Sequence, residues 1–167
     1  KLAIVGMNGS GKTTFIKLLC RLYDPTEGEI LLNGVNIRKY DYDEYMSIFS
    51  VVFQDFRLFS FQLGQVVASG DAFDPARAKE CLEKANFGDR LRSLPDGLRT
   101  YLYKNYDEHG VEVSGGEAQK IALARALYKD APFILLDEPT AALDPVSEYE
   151  VYSNFNAISG DKTAVYI

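Results

Sequence analysis

Residues 6–13 have the sequence GMNGSGKT. It follows the apolar run Leu2–Val5 and precedes an amphipathic stretch that starts near Gly11, so the sequence predicts a strand, a tight turn and a helix. Glycines let the backbone fold closely with successive N–H groups pointing inward, and the positive end of the helix dipole adds to their field. Lys12 contributes a positive side chain. Residues 6–13 therefore predict a loop that binds phosphate groups.

The loop fits G-x-x-x-x-G-K-S/T, the Walker A pattern, in the strand-to-helix context that this pattern requires. In that pattern the lysine reaches the β and γ phosphates and the final hydroxyl binds Mg²⁺, so Thr13 is a predicted metal ligand. A glycine-rich turn without a ligand is the alternative, which the flanking strand and helix disfavour. The predicted phosphate-binding residues are Gly6, Asn8, Gly9, Ser10, Gly11, Lys12, Thr13 and Thr14.

Short apolar runs bounded by turn residues predict buried parallel strands. These runs are Leu2–Val5, Phe49–Phe53, Phe133–Leu136 and Thr163–Ile167. Amphipathic stretches lie between them, and the first helix has a predicted apolar face with i, i+3, i+4, i+7 spacing. That face consists of Phe15, Leu18, Leu19 and Leu22. The predicted fold class is α/β, a P-loop NTPase core with a mostly parallel sheet.

Other local signals refine this fold. Asn33-Gly34, between residues 29–32 and 35–37, predicts a hairpin with a type I′ turn and thus a small antiparallel edge. Asp74-Pro75 and Asp144-Pro145 each predict a helix start, the latter before a helix at 146–158. Strand-like runs disappear between residues 56 and 130. We therefore expect one domain over 1–167, with a core at 1–55 and 131–167 and an inserted helical subdomain at 56–130.

A carboxylate after a strand is the second predicted part of the site. The run Phe133–Leu136 leads into Asp137, as in a Walker B motif, where such a carboxylate holds Mg²⁺. Because side chains alternate along a strand, Asp137 and Glu138 should diverge, one toward the metal and the other toward a water near the γ phosphate. Glu138 is the predicted catalytic base. Alone, this segment is more often an ordinary strand end, but the phosphate loop favours the catalytic interpretation.

Residues 113–117, VSGGE, resemble the L-S-G-G-Q signature motif of ATP-binding-cassette (ABC) ATPases, with Val for Leu and Glu for Gln. The resemblance covers nearly the whole chain in the family's order: phosphate loop, Gln54, signature, Asp137 and residues 141–144. The same signature residues also fit an S-x-x-E capping box at a helix start, and both interpretations can hold. The resemblance implies contact with ATP on an opposing subunit, in a head-to-tail dimer, through Ser114, Gly115, Gly116 and Glu117.

The resemblance assigns further roles. Gln54, after the strand Phe49–Phe53, would be the Q-loop glutamine that reaches Mg²⁺ or the attacking water. It is therefore a predicted catalytic residue and a predicted metal ligand, together with Thr13 and Asp137. Asp144 would be the D-loop aspartate that links the two sites across the dimer. The implied cofactors are ATP and Mg²⁺, and the implied partner is a second nucleotide-binding domain, identical or different.

Two segments resemble parts of exporters. The segment Asp107-Glu108-His109-Gly110 resembles the X-loop of ABC exporters, with an ordinary acidic turn as the alternative. The aromatic residues around Gln54 suit a groove for a partner's helix, with some of them in the core. They are Phe53, Phe56, Phe59 and Phe61. The resemblance implies ATP-driven export of an unknown substrate through a transmembrane domain, fused or separate, at the cytoplasmic face of the membrane.

Two alternatives remain open: a soluble ABC ATPase acting on nucleic acid or ribosomes, and a regulatory domain in which ATP is only a conformational ligand. The 167 residues contain 18 basic and 24 acidic side chains, a formal charge of −6, which argues against a nucleic-acid partner. Apolar runs are too short to span a bilayer. Cys20 and Cys81 match no metal spacing and are expected to be buried reduced thiols.

The chain begins and ends within strand-like runs, which predicts a partial domain. In the family, an aromatic that stacks on adenine precedes the first strand and a switch histidine follows the last one, so both would fall outside these residues. His109, the single histidine, is expected to be a solvated loop residue instead. We therefore expect the 167 residues alone to hydrolyse ATP poorly.

Overall fold

A computed structural model describes residues 1–7, 9–139, 149, 160 and 162–167. The strands are β1 (Leu2–Ala3), β2 (Leu31–Leu32), β3 (Val35–Asn36), β4 (Phe49–Val52), β5 (Phe133–Leu136) and β6 (Thr163–Tyr166). The helices are α1 (Lys12–Leu19), α2 (Tyr42–Ser47), α3 (Leu63–Ala68), α4 (Pro75–Lys84), α5 (Gly88–Ser93) and α6 (Gly115–Lys129), with 3₁₀ turns at Ile37–Lys39 and Gly97–Arg99. The predicted Asp144-Pro145 helix start and the helix at 146–158 lie outside the described residues.

Four of the strands form a parallel sheet in the order β1-β6-β5-β4, which confirms the predicted architecture. Three strands are shorter than the apolar runs that predicted them. The ladder nevertheless continues past two of those ends, because Ile4 N–H donates to Tyr166 O at 2.9 Å and Ile167 N–H donates to Leu136 O at 3.0 Å. Parallel strands bring their carboxyl ends to one edge of the sheet, where ligands of α/β proteins commonly bind.

Strands β2 and β3 form the predicted antiparallel hairpin, in which Leu31 pairs with Asn36. The turn residues Asn33 and Gly34 have φ values of 52° and 77°. A type I′ turn requires positive φ at both central residues, and Asn-Gly adopts it at little cost. The Tyr40 hydroxyl donates to Leu32 O at 2.9 Å and holds the hairpin against the segment that follows it.

Helix α1 exists as predicted, but its predicted apolar face is wrong. The fully buried residues are Ile16 and Cys20, which pack in a cluster that includes Tyr45 from α2. Phe15 is 40% exposed and Leu22 is 44% exposed. The helix ends at Leu19 with Cys20 as its C-cap, so Leu22 lies outside it, and Ile16 and Cys20 at i and i+4 pack with the sheet residues Leu135 and Val165 instead.

The region between β4 and β5 is mostly helical, and α6 packs against both α3 and α4. Asp74 begins α4 as predicted, accepting hydrogen bonds from the N–H groups of Ala76 and Arg77 at 2.9 and 3.2 Å. The apolar core runs without interruption from these helices onto one face of the sheet. The subdomain boundaries at 55/56 and 130/131 therefore stay a prediction. Among the helices that the structure describes, none is long and apolar enough to cross a bilayer.

Candidate functional site

The glycine-rich loop connects β1 to α1 and reverses the chain through two left-handed residues. Gly9 has φ 79° and Gly11, the N-cap of α1, has φ 90°. Only glycine adopts such values without strain, so the spacing of the motif follows from the backbone path. Lys12 Nζ lies over the loop and donates to Gly6 O at 2.9 Å and Met7 O at 3.1 Å. The unpaired N–H groups of the first turn of α1 thus lie beside an ammonium group.

A cavity of about 370 Å³ opens in front of this loop. Its walls come from three separate parts of the chain: the loop with α1, the end of β4 and the end of β5. The lining residues are Gly9, Gly11, Lys12, Thr13, Thr14, Gln54 and Glu138. Gly6 and Ser10 belong to the loop but are not among the described lining residues. The predicted Asn8 lies outside the described residues.

The two carboxylates after β5 have different surroundings, because Glu138 lines the cavity whereas its described lining does not include Asp137. Asp137 is 1% exposed, and within the described part of the chain neither of its carboxylate oxygens has a hydrogen-bond partner. Its N–H donates to Val52 O at 2.9 Å, which continues the pairing of β5 with β4. Burying a carboxylate without a partner is costly, so the position of Asp137 favours binding of a cation.

Magnesium suits the donor set at this edge of the sheet. Thr13, Gln54 and Asp137 offer a hydroxyl, an amide and a carboxylate oxygen, the hard ligands that Mg²⁺ prefers. Across the described residues no cluster of three or more His, Cys, Asp or Glu side chains could hold a metal. Mg²⁺ commonly binds through one or two carboxylates plus substrate phosphates, so the single buried carboxylate of Asp137 is sufficient for such a site.

Glu138 is fixed by two contacts from different elements. Gln54 Nε2 donates to Glu138 Oε2 at 2.7 Å, because β4 and β5 are parallel neighbours and both side chains follow the ends of their strands. Glu138 has φ 49°, a strained value for a residue with a side chain. Gln119 Nε2 of α6 donates to Glu138 O at 3.2 Å and holds this backbone conformation.

Gln119 is a site residue that the sequence reasoning missed. It is buried, whereas long polar side chains normally remain exposed. A signal was present, because Gln119 lies on the same helical face as the apolar residues Ala122, Leu123 and Ala126 at i+3, i+4 and i+7. A polar side chain within an apolar face indicates a buried hydrogen bond.

The signature residues begin α6 and form the predicted capping box. Ser114 Oγ accepts from Glu117 N–H at 3.2 Å, and Glu117 Oε2 accepts from Ser114 N–H at 2.7 Å. Gly115 and Gly116 complete the first turn of the helix. The described lining of the 370 Å³ cavity contains none of these four residues. The predicted D-loop residue Asp144 lies outside the described residues.

The remaining predicted features are placed as follows. Phe59 and Phe61 are exposed, whereas Phe53 and Phe56 pack partly against the core. His109 is an exposed loop residue whose N–H donates to Asp107 Oδ1 at 2.8 Å. Both cysteines are buried and free, and burial raises the pKa of the Cys20 thiol to about 11.

The protein-family model described as "ABC transporter" matches residues 1–141. The chain belongs to the ABC transporter family. This assignment confirms the family that the motifs predicted, together with its P-loop NTPase fold and the ATP binding that the family implies. Three relatives show what the ABC chain is similar to.

The ATP-dependent lipid A-core flippase of Burkholderia orbicola is 42% identical over 166 residues, covering 99% of this chain and 27% of the flippase. The subtilin transport ATP-binding protein SpaT of Bacillus subtilis is 37% identical over 179 residues, covering 100% of this chain and 28% of SpaT. The mitochondrial iron-sulfur clusters transporter ATM1 of Candida glabrata is 42% identical over 173 residues, 23% of its length.

A solved structure shows the same fold in an exporter. A bacterial Atm1-family ABC exporter with ATP bound superposes with a TM-score of 0.89 at 35% identity, covering 99% of the ABC chain and 29% of the exporter. The chain spans about a quarter of the length of the curated relatives that it matches.

Proposed function

We propose that the ABC chain is the ATP-binding and ATP-hydrolysing part of an exporter. It powers transmembrane movement of a substrate that the transmembrane domain selects. The observation that carries the proposal is the 2.7 Å contact between Gln54 and Glu138 in the same cavity as the phosphate loop. A loop that only held ATP would not need a carboxylate fixed beside the phosphates. The relatives support the transport role, since they include a flippase and two transporters.

ATP phosphates are held by the first turn of α1 and the loop before it. Backbone N–H groups and the Lys12 ammonium surround the anion, and Thr14 lines the same cavity. Gly6, Asn8 and Ser10 belong to the proposed set by their positions in the G-x-x-x-x-G-K-S/T pattern. Thr13, Gln54 and Asp137 hold Mg²⁺. When bound, Mg²⁺ neutralises the charge that develops on the transferred phosphoryl group.

The Glu138 carboxylate orients the water that attacks the γ phosphate. Its oxygen accepts a hydrogen bond from that water, and in-line attack then requires little covalent work by the protein. Gln54 keeps the carboxylate in place through the side chain, and Gln119 does so through the backbone. Two independent contacts on one residue favour a fixed orientation, which lowers the entropic cost of reaching the transition state.

The signature motif acts on a second copy or a related domain. Ser114, Gly115, Gly116 and Glu117 lie at the N-terminus of a 15-residue helix, where the dipole favours an anion. They contact the ATP of the opposing subunit in a head-to-tail dimer, and Asp144 links the two sites. ATP binding closes this dimer and hydrolysis reopens it.

The proposed partners are therefore a second nucleotide-binding domain and a transmembrane domain, with the ABC chain at the cytoplasmic face of the membrane. Phe59 and Phe61 form an exposed aromatic surface on which the transmembrane domain can dock. The rings of Phe61 and Tyr106 stack there, with their centroids 6.1 Å apart. The net charge of −6 supports the absence of a nucleic-acid partner.

Replacing Lys12 in the intact protein tests this function. In lipid vesicles we expect Mg²⁺-dependent ATP hydrolysis by the unmodified protein. Lys12→Ala should weaken ATP binding by about 10- to 100-fold, the equivalent of one charge-assisted hydrogen bond. Lys17→Ala is the matched control, because Lys17 lies on the same helix and faces the Tyr23 ring at 5.6 Å instead of the loop. Hydrolysis that is unchanged in Lys12→Ala, or absent from the unmodified protein, would refute the proposal.

A further inference from the structure

Glu117 places a negative charge at the point where the proposed function needs to attract an anion. The N-terminus of α6 is electropositive because its first N–H groups lack partners within the helix. One Glu117 oxygen accepts from Ser114 N–H at 2.7 Å, so the carboxylate sits within the first turn. Its charge therefore opposes the approach of a nucleotide phosphate to the same turn.

A cation from another helix faces this carboxylate. Arg90 of α5 brings Nε to 2.8 Å from Glu117 Oε1, the oxygen that the capping box leaves free. The contact is an ion pair rather than a directed hydrogen bond, because the Nε N–H does not point at the oxygen. The guanidinium is steadied by a weak 3.4 Å contact from Nη1 to the Ser93 hydroxyl.

The packing of helix α5 against the core holds Arg90 in this position. Leu91, the next residue, is buried in the core that α5 shares with α4 and α6. The Arg90 and Glu117 side chains are 38% and 27% exposed, so water screens their attraction and the pair adds little to folding stability. A pair of small structural value at the start of α6 is better explained by its effect on the charge there.

We propose that Arg90 is a positioning residue for the signature helix. Its guanidinium holds the Glu117 carboxylate against the Ser114 N–H and offsets the carboxylate charge, so that the N-terminus of α6 can receive the nucleotide phosphate of the opposing subunit. This inference rests on the proposed function, and it explains how the motif works with Glu at position 117. No covalent step is involved.

A double-mutant cycle in the intact protein tests the inference. Steady-state ATP hydrolysis and ATP-dependent dimerisation are measured for Arg90→Ala with Glu117 present and with Glu117→Gln. We expect Arg90→Ala to raise the ATP concentration for half-maximal dimerisation about threefold to tenfold with Glu117 present, the range of a helix-terminus charge effect. In the Glu117→Gln background, Arg90→Ala should change the ATP concentration for half-maximal dimerisation by less than about twofold, because no carboxylate charge remains for Arg90 to offset.

The dependence on ionic strength and two further variants test the same inference. Raising ionic strength from about 0.05 to 0.5 M should shrink the Arg90→Ala defect, since salt screens the exposed carboxylate. Arg90→Lys keeps the charge and should retain most of the affinity. Arg92→Ala is the matched control, because Arg92 lies on the same helix and pairs with Asp89.

The outcomes separate this inference from the function on which it rests. An Arg90→Ala defect of equal size in both Glu117 backgrounds means that Arg90 only supports α5, and it overturns the inference alone. ATP-dependent dimerisation of Arg90→Ala at the wild-type ATP concentration also overturns the inference. If the unmodified protein forms no ATP-dependent dimer, the proposed function fails and the inference fails with it.

Discussion

Gly110 lies in the segment that leads into α6, where a single added carbon would clash with the backbone and lower the stability of the fold. A Cβ at this position would lie 1.9 Å from Tyr103 O, 2.7 Å from the Tyr103 carbonyl carbon and 2.9 Å from Asp107 O. All three are backbone atoms. They are fixed locally, because Tyr103 N–H donates to Val111 O at 2.8 Å and Gly110 N–H donates to Asp107 O at 2.9 Å.

Gly110→Ala therefore forces the two backbone segments apart by more than about 1 Å, since carbon and oxygen atoms at optimal contact lie at about 3.5 Å. Such overpacking costs about 2 kcal/mol, and one weakened backbone hydrogen bond adds about 1 kcal/mol. A loss of about 3 kcal/mol lowers the melting temperature of a domain of this size by about 6 to 12 °C. Differential scanning calorimetry of the purified chain measures the shift.

Gly70→Ala is the control for this change, because the nearest atom to its Cβ would be Ala72 O at 4.0 Å. We expect its melting temperature to stay within about 2 °C of the wild type, as for most surface substitutions. A Gly110→Ala protein that melts together with this control would show that residues 103–111 do not pack as described.

Two further substitutions and one labelling experiment have defined outcomes. Gln119→Leu removes the hydrogen bond to Glu138 O, so kcat for ATP should fall about tenfold or more with KM little changed, as steady-state kinetics would show. Ser114→Ala removes the cap of α6 and should lower the melting temperature by about 3 °C in calorimetry, equivalent to about 1 kcal/mol. Burial raises the pKa of Cys20 to about 11 and also raises the pKa of Cys81, so both stay protonated at pH 8; mass spectrometry should detect iodoacetamide labelling of either only after unfolding.

Local chemistry explains which parts of the fold the sequence could predict. The turn at Asn33-Gly34 and the start of α4 at Asp74-Pro75 both depend on residues adjacent in the chain. The capping box of Ser114 and Glu117 is local in the same sense. Each of these was predicted correctly because neighbouring residues alone determine the hydrogen bonds involved.

Contacts between distant elements explain what the sequence could not predict. The apolar residues of α1 define two adjacent faces, and only the position of the sheet selects the face with Ile16 and Cys20. The Arg90 contact with Glu117 spans 27 positions of sequence and two helices, and neither residue type indicates the other. Gln54 and Glu138 are 84 positions apart, and their meeting depends on the pairing of β4 with β5.

ATP turnover of Glu138→Gln in the intact protein tests whether the Glu138 carboxylate activates the attacking water. The change keeps the shape of the side chain and removes its charge, so ATP affinity should stay within about twofold while kcat falls at least about 100-fold, the contribution typical of a general base. The ATP-bound dimer should then remain closed. Glu27→Gln, at an exposed position, is the control. Hydrolysis by Glu138→Gln within about twofold of the wild type would rule out this role for Glu138.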